Sequence, residues 1–205
     1  MIGKMDCQER SGILTSQGSQ DAMNDSRYKQ AIERNLAELQ RAILNRSTLV
    51  SLGAEGRISH LFLKLIYFAL FNDYIAHCIK VFERGSRAAS FWYIYRTDRK
   101  PLDGYARRNN ISVATLEQVS KKLTHLRNKT HFHIDKEGVF DPKAVWLEAG
   151  LSGSELSNAV DAVWNMLNDL QTTLGLAPLA LPDYNSAIAR RVAILVEGGQ
   201  VSRGL

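Results

Sequence analysis

At 205 residues, with 45% apolar and 23% charged residues, the chain has room for one domain with a proper core but not for two large ones. Two cysteines, Cys7 and Cys78, exclude a disulfide framework, and the polar N-terminus holds no apolar core of signal-peptide length. The net charge of +5 is uneven: ten Lys or Arg face four Asp or Glu between Arg96 and Lys136, while Ala144 to Ala189 holds no Lys or Arg.

Such an excess suits a polyanionic partner in a groove better than a diffusely sticky surface. Residues 1–23 are polar and aperiodic and read as a flexible tail. A helix is expected to start at Asn24, Asp25 or Ser26 and to run to about Asn45, burying Ile32, Leu36, Leu39 and Ile43. Leu49 to Gly56 then reads as a turn. The next helix, Ser59 to about Phe82, is apolar nearly all round and belongs at the centre of the fold. Lys64, Asn72, Asp73, His77 and Lys80 interrupt it, so the reading is a core helix of a cytoplasmic protein rather than a membrane span.

The run Phe91-Trp92-Tyr93-Ile94-Tyr95 is expected to be a short strand or an irregular segment, packed in the core rather than stacked on bases. Arg96 to Gly104 reads as a turn-rich basic connection. Ser112 or Thr115 is expected to cap a third long helix that runs to about His131. Its seam is Leu116, Val119, Leu123, Leu126 and Thr130. Asp141-Pro142 should start a short helix ending near Gly150, and Ser152 or Ser154 a last long one carrying Leu156, Val160, Val163, Trp164, Leu167, Leu170 and Leu174. After Pro178 and Pro182, Asp183 is expected to cap a final helix with Ile188, Val192 and Leu195 on one side. The expectation is an all-α, up-and-down four-helix bundle over 24–176. It carries a short extra helix, an aromatic insert between helices 2 and 3, and a linker with a short helical tail over 177–205.

The third helix ends in Leu123-Thr124-His125-Leu126-Arg127-Asn128-Lys129-Thr130-His131-Phe132-His133-Ile134-Asp135. His133 falls where the seam asks for an apolar residue, and a guanidinium lies one turn beyond Leu123. Charged groups at a buried seam are costly unless paired. One reading is structural, with His131 and His133 as surface or satisfied core residues and Arg127 bridged to an acidic neighbour, for which the last long helix offers Glu155, Asp161 and Asp169. A second is a metal site, since Thr130 to Asp135 matches most of the T-H-x-H-x-D-H string of the metallo-β-lactamase fold. Lys136 replaces its final His, no His follows His133, and the setting is helical, so that ligand set is incomplete.

Arg127-Asn128 followed after five residues by His133, late in the third helix of a helical bundle, resembles the HEPN superfamily. Within it the chain looks most like the abortive-infection branch, and the likeness covers roughly residues 24–176. The resemblance implies a homodimer through the motif helix and a metal-independent endoribonuclease with no cofactor. Arg127 and His133 would be the catalytic pair, with Asn128 the polar residue after the Arg. It further implies the toxin of a toxin–antitoxin or phage-defence module, held in check by a nucleotidyltransferase-like antitoxin. RNA supplies its own nucleophile, the 2′-hydroxyl; an imidazole can move its proton and a guanidinium can hold the phosphate. Lys121, Lys122, Lys129 and Lys136 are expected to follow the RNA backbone, with a solvated face as the plain alternative. On an unbroken α-helix Arg127 and His133 stand about 120° apart. That assignment therefore requires a break near His131 or convergence across a two-fold axis, and His131, at i+4 from Arg127, is the alternative base. A non-catalytic HEPN-like module binding RNA, a nucleotide or a protein is the competing reading.

Overall fold

The stripe Ile32, Leu36, Leu39 and Ile43 is buried as its spacing requires, on a helix longer than expected. The computed structural model describes residues 9–54, 58–131 and 142–198, with side chains described for 25–54, 58–129 and 144–198. Helix α1 spans Glu9–Gly53. It continues through the expected turn at Leu49 because Leu49 and Leu52 both find buried positions, so further winding gains core although Val50 is left exposed.

Helix α2 (Leu61–Phe82) packs extensively on α1, its first turn capped by His60, whose ring accepts the Phe62 N–H at 3.2 Å. By length and composition alone it could cross a membrane. It is not enclosed on all sides, as its composition suggested. Tyr74, Ile75, Cys78, Ile79, Val81 and Phe82 are buried, whereas Leu61, Phe62, Leu65 and Phe68 are 53–69% exposed.

The aromatic run is helical, not a strand or irregular: α3 spans Phe91–Thr97. Phe91, Trp92 and Tyr95 meet ring to ring at 5.1–5.9 Å, a cluster that helical spacing of i, i+1 and i+4 allows and an extended run would pull apart. The packing reading of this run holds: Phe91, Trp92, Ile94 and Tyr95 are buried. Trp92 Nε1 donates to Ser120 Oγ at 2.7 Å and ties α3 to the motif helix. The basic connection is helical too, as α4 (Arg99–Arg108). Pro101 falls in its first turn, where a missing N–H leaves no bond unmade, and Arg99 Nε donates to Asp103 Oδ2 at 2.8 Å, one turn on.

Helix α5 (Val113–Leu126) begins at Ser112, whose Oγ accepts the Thr115 N–H at 3.2 Å, and buries Leu116, Val119, Leu123 and Leu126. From Arg127 to His131 the backbone is a π-helical turn rather than a continuation of the α-helix. Helix α6 (Pro142–Ala149) and helix α7 (Gly153–Thr173) follow. Ser152 Oγ caps α7 by accepting the Glu155 N–H at 3.1 Å, and Leu156, Val160, Val163, Trp164, Leu167 and Leu170 are buried. Helix α8 (Ser186–Gly198) is started by Asn185, whose Oδ1 accepts the Ala187 N–H at 3.0 Å, and not by Asp183. Its inward residue is Ala193, beside Leu52 and Leu63; Ile188, Val192 and Leu195 face outward instead of forming the buried side.

The described residues are thus all-α, eight α-helices and one π-helical turn without a strand. Helix α1 touches α2, α3, α7 and α8, and α5 lies against α2, α6 and α7.

Candidate functional site

Two hydroxyl back-bonds precede the π-helical turn: Ser120 Oγ donates to the Leu116 carbonyl at 3.0 Å, and Thr124 Oγ1 to the Ser120 carbonyl at 2.9 Å. Such bonds bend a helix, and one-turn π segments recur at functional sites. Regular α winding stops at Leu126, before the H-x-H stretch begins. The ring of His131 and the whole of His133 and Lys136 lie outside the described residues, as does the H-x-H-x-D run of the metal reading.

Arg127 stands at the α-to-π junction, with its side chain about one-third exposed. One terminal nitrogen is ion-paired with Glu83, the C-cap of α2, and its Nε donates to Asn128 Oδ1 at 3.1 Å. An acidic neighbour therefore pairs with Arg127, as the structural reading expected, but it is not one of the acids of α7. It comes from the chain 44 positions earlier. Asn128 is exposed and Lys129 half-buried. Arg127 lines a cleft of about 510 Å³ between α1, the end of α2 and the segment 83–90. Neither Lys121 nor Lys122 lines it. Lys121 is exposed, and the Lys122 ammonium donates to both Glu155 oxygens at 2.8 Å and to the Gly150 carbonyl at 2.9 Å.

The inner wall of the cleft is a buried polar cluster in which the polar stripe of α2 meets Glu38, a residue that the sequence reading did not single out. Glu38, 5% exposed, accepts from His77 Nδ1 at 2.6 Å and Lys80 Nζ at 3.0 Å, and lies 3.3 Å from Arg34 Nε. His77 Nε2 reaches Asp73 Oδ2 at 3.2 Å, and Asn45 donates to the same oxygen at 2.7 Å. Burial alone would raise the Glu38 carboxyl, but the hydrogen bonds and charges of His77 and Lys80 outweigh it and hold Glu38 below the usual carboxylate range. Asn35, also buried, donates to the Ala31 carbonyl at 2.7 Å and the Ala89 carbonyl at 2.6 Å, pinning the segment 83–90 to α1. A signal for this cluster was present: Asn35 and Glu38 share a helical stripe with Ala31 and Ala42, beside the stripe of Ile32, Leu36 and Leu39.

Comparison of the chain with protein-family models, with curated proteins and with solved structures returns no match.

Proposed function

We propose that this chain is a metal-independent endoribonuclease of HEPN type, in which α1, α2, α5 and α7 are the four helices of the bundle and two copies meet through the motif helix. The observation that carries the reading is Arg127 at the α-to-π junction, lining a polar cleft immediately before the H-x-H stretch. In this reading the RNA 2′-hydroxyl attacks the adjacent phosphorus, the 5′-oxygen leaves, and the products are a 2′,3′-cyclic phosphate and a 5′-hydroxyl. His133, or His131 in its place, takes part in the proton transfers. Arg127 binds the phosphate oxygens as charge builds on them, and Asn128 orients the neighbouring groups. The setting is a cytoplasmic toxin or phage-defence module with a nucleotidyltransferase-like antitoxin.

The test is cleavage of RNA in EDTA by the purified chain and by Arg127→Ala, His133→Ala and His131→Ala variants. Loss in Arg127→Ala and in one of the two histidine variants supports the reading and names the base. Equal activity in wild type and all three variants removes it. A second reading, a helical module that binds without cutting, is favoured by the ion pair with Glu83, which gives the Arg127 guanidinium a structural partner. That module yields salt-dependent RNA affinity with no cyclic-phosphate ends, and its expression is harmless to a host that an active ribonuclease would stall.

A further inference from the structure

A second hollow of about 400 Å³ adjoins the cleft at Arg127, the two sharing Arg34, Ala88 and Ala89 along α1 and the segment 83–90. It is lined by Arg27, Arg34 and Arg87 and by no carboxylate. Arg27 and Arg87 are exposed and make no ion pair among the described residues, whereas Arg34 shares Glu38 with His77 and Lys80. The two unpaired guanidinium groups, Arg27 and Arg87, stand beside Arg34 and repel one another, and an arriving polyanion relieves that repulsion. The floor is small: Ala88 and Ala89 leave room for a chain to approach, and Asn35 holds the Ala89 carbonyl in place from below. Tyr93, half-buried, closes the outer end with an aromatic ring.

We propose that this arginine groove seats a single-stranded RNA segment, its phosphates on Arg27, Arg34 and Arg87 and a base against Tyr93, and that the strand leads from there to Arg127. The direction toward Arg127 rests on the ribonuclease reading; the groove itself does not. From Arg27 to Glu38 α1 advances about 16 Å at 1.5 Å per residue, the length of about three to five nucleotides. The guanidinium fork suits phosphate oxygens, and an aromatic ring accepts any unpaired base, so the groove selects for a flexible strand rather than a sequence. An acidic peptide would meet the same charges but would stack on Tyr93 only where it carries an aromatic side chain, which polyglutamate lacks.

The experiment is fluorescence anisotropy of a labelled 2′-O-methyl RNA of about 12 nucleotides, which cannot be cleaved, against the full chain between about 50 and 200 mM salt. Arg27→Ser/Arg87→Ser is expected to weaken binding about tenfold at low salt. It should also flatten the slope of log affinity against log salt by about 1.4, two phosphate contacts at about 0.7 each. Lys100→Ser/Arg107→Ser, which removes the same charge from α4, keeps the wild-type slope. Wild-type behaviour in the groove variant, an equal loss in the α4 variant, or displacement of the RNA by polyglutamate at equal charge would each overturn the groove. A groove-dependent affinity with no cleavage of ordinary RNA keeps the groove and removes the ribonuclease. Cleavage that needs Arg127, with the groove variant binding as wild type, removes the groove alone.

Discussion

Glu38 is the residue on which the interior of the cleft turns, and its replacement can be worked through. Its carboxylate is 5% exposed and faces Arg34, Lys80 and the His77 ring, of which only His77 is itself buried. Arg34 and Lys80 can swing into water if the carboxylate is removed, but His77 keeps only Asp73, a residue whose side chain is 58% exposed. Glu38→Ala thus leaves a buried donor without its partner, and unfolding experiments should show a loss at the level of a broken buried pair, about 3–5 kcal/mol at pH 7. Glu38→Gln keeps an acceptor oxygen within reach of the ring and loses only the charge, so its cost should be about 1.5–3 kcal/mol. The pH dependence follows from the lowered carboxyl. A group whose folded pKa lies below its unfolded value stabilises the fold fully above the unfolded value and stops doing so as pH falls through the folded one. The wild-type advantage over Glu38→Gln should therefore be constant from pH 7 down to about 4.5, the unperturbed value, and contract below it. Urea unfolding of both proteins at several pH values reads this directly. An advantage that stays flat to pH 3, or a Glu38→Ala loss below about 1 kcal/mol, would refute the assignment of Glu38 as a buried ionised centre.

On the ribonuclease reading, Glu83→Gln removes a carboxylate that would compete with RNA for Arg127, so RNA affinity should rise several-fold at low salt; a fall in affinity would show the pair to be needed for the shape of the cleft. Trp92→Phe breaks the bond from α3 to Ser120 Oγ and leaves unfilled volume in the core. A loss of about 1–3 kcal/mol in urea unfolding is expected, against no change if the tie is idle. Ser152→Ala takes the cap from α7 and should cost about 1 kcal/mol, which Ser152→Asp should restore in the same thermal melts. Gly150 has φ +57° and no atom within 4 Å of a built Cβ, so Gly150→Ala should lower stability by about 1 kcal/mol through backbone strain alone.

Local signals were legible where one element carries its own instructions. Ser112 and Ser152 start helices because a hydroxyl at that position satisfies a free N–H. The buried faces of α5 and α7 follow from three- and four-residue spacing. Pro101 and Gly104 misled because both residues mark turns in isolation, yet each is tolerated where it falls in α4. Likewise the aromatic run is too short for periodicity to choose between strand and helix; ring contacts and the bond to Ser120 decide it. The site divides in the same way. Arg127 and Asn128 stand out by residue type against an apolar seam. The Glu83 partner, the Glu38–His77 cluster and the meeting of Arg27, Arg34 and Arg87 join residues that the chain keeps far apart. One trace of the groove is visible beforehand, since Arg27 and Arg34 lie seven residues apart on one face of α1.

The sequence by itself determined that the chain is helical, where most of its long helices bury their faces, and which guanidinium sits awkwardly at the end of a seam. Period and capping are properties of neighbours along the chain, and they survive without knowledge of the rest. Only the tertiary structure decided how far α1 extends, that α5 ends in a π-helical turn, and which charges share a cleft. Those outcomes depend on burial and on electrostatics between segments brought together by packing, and neither acts until the helices have met.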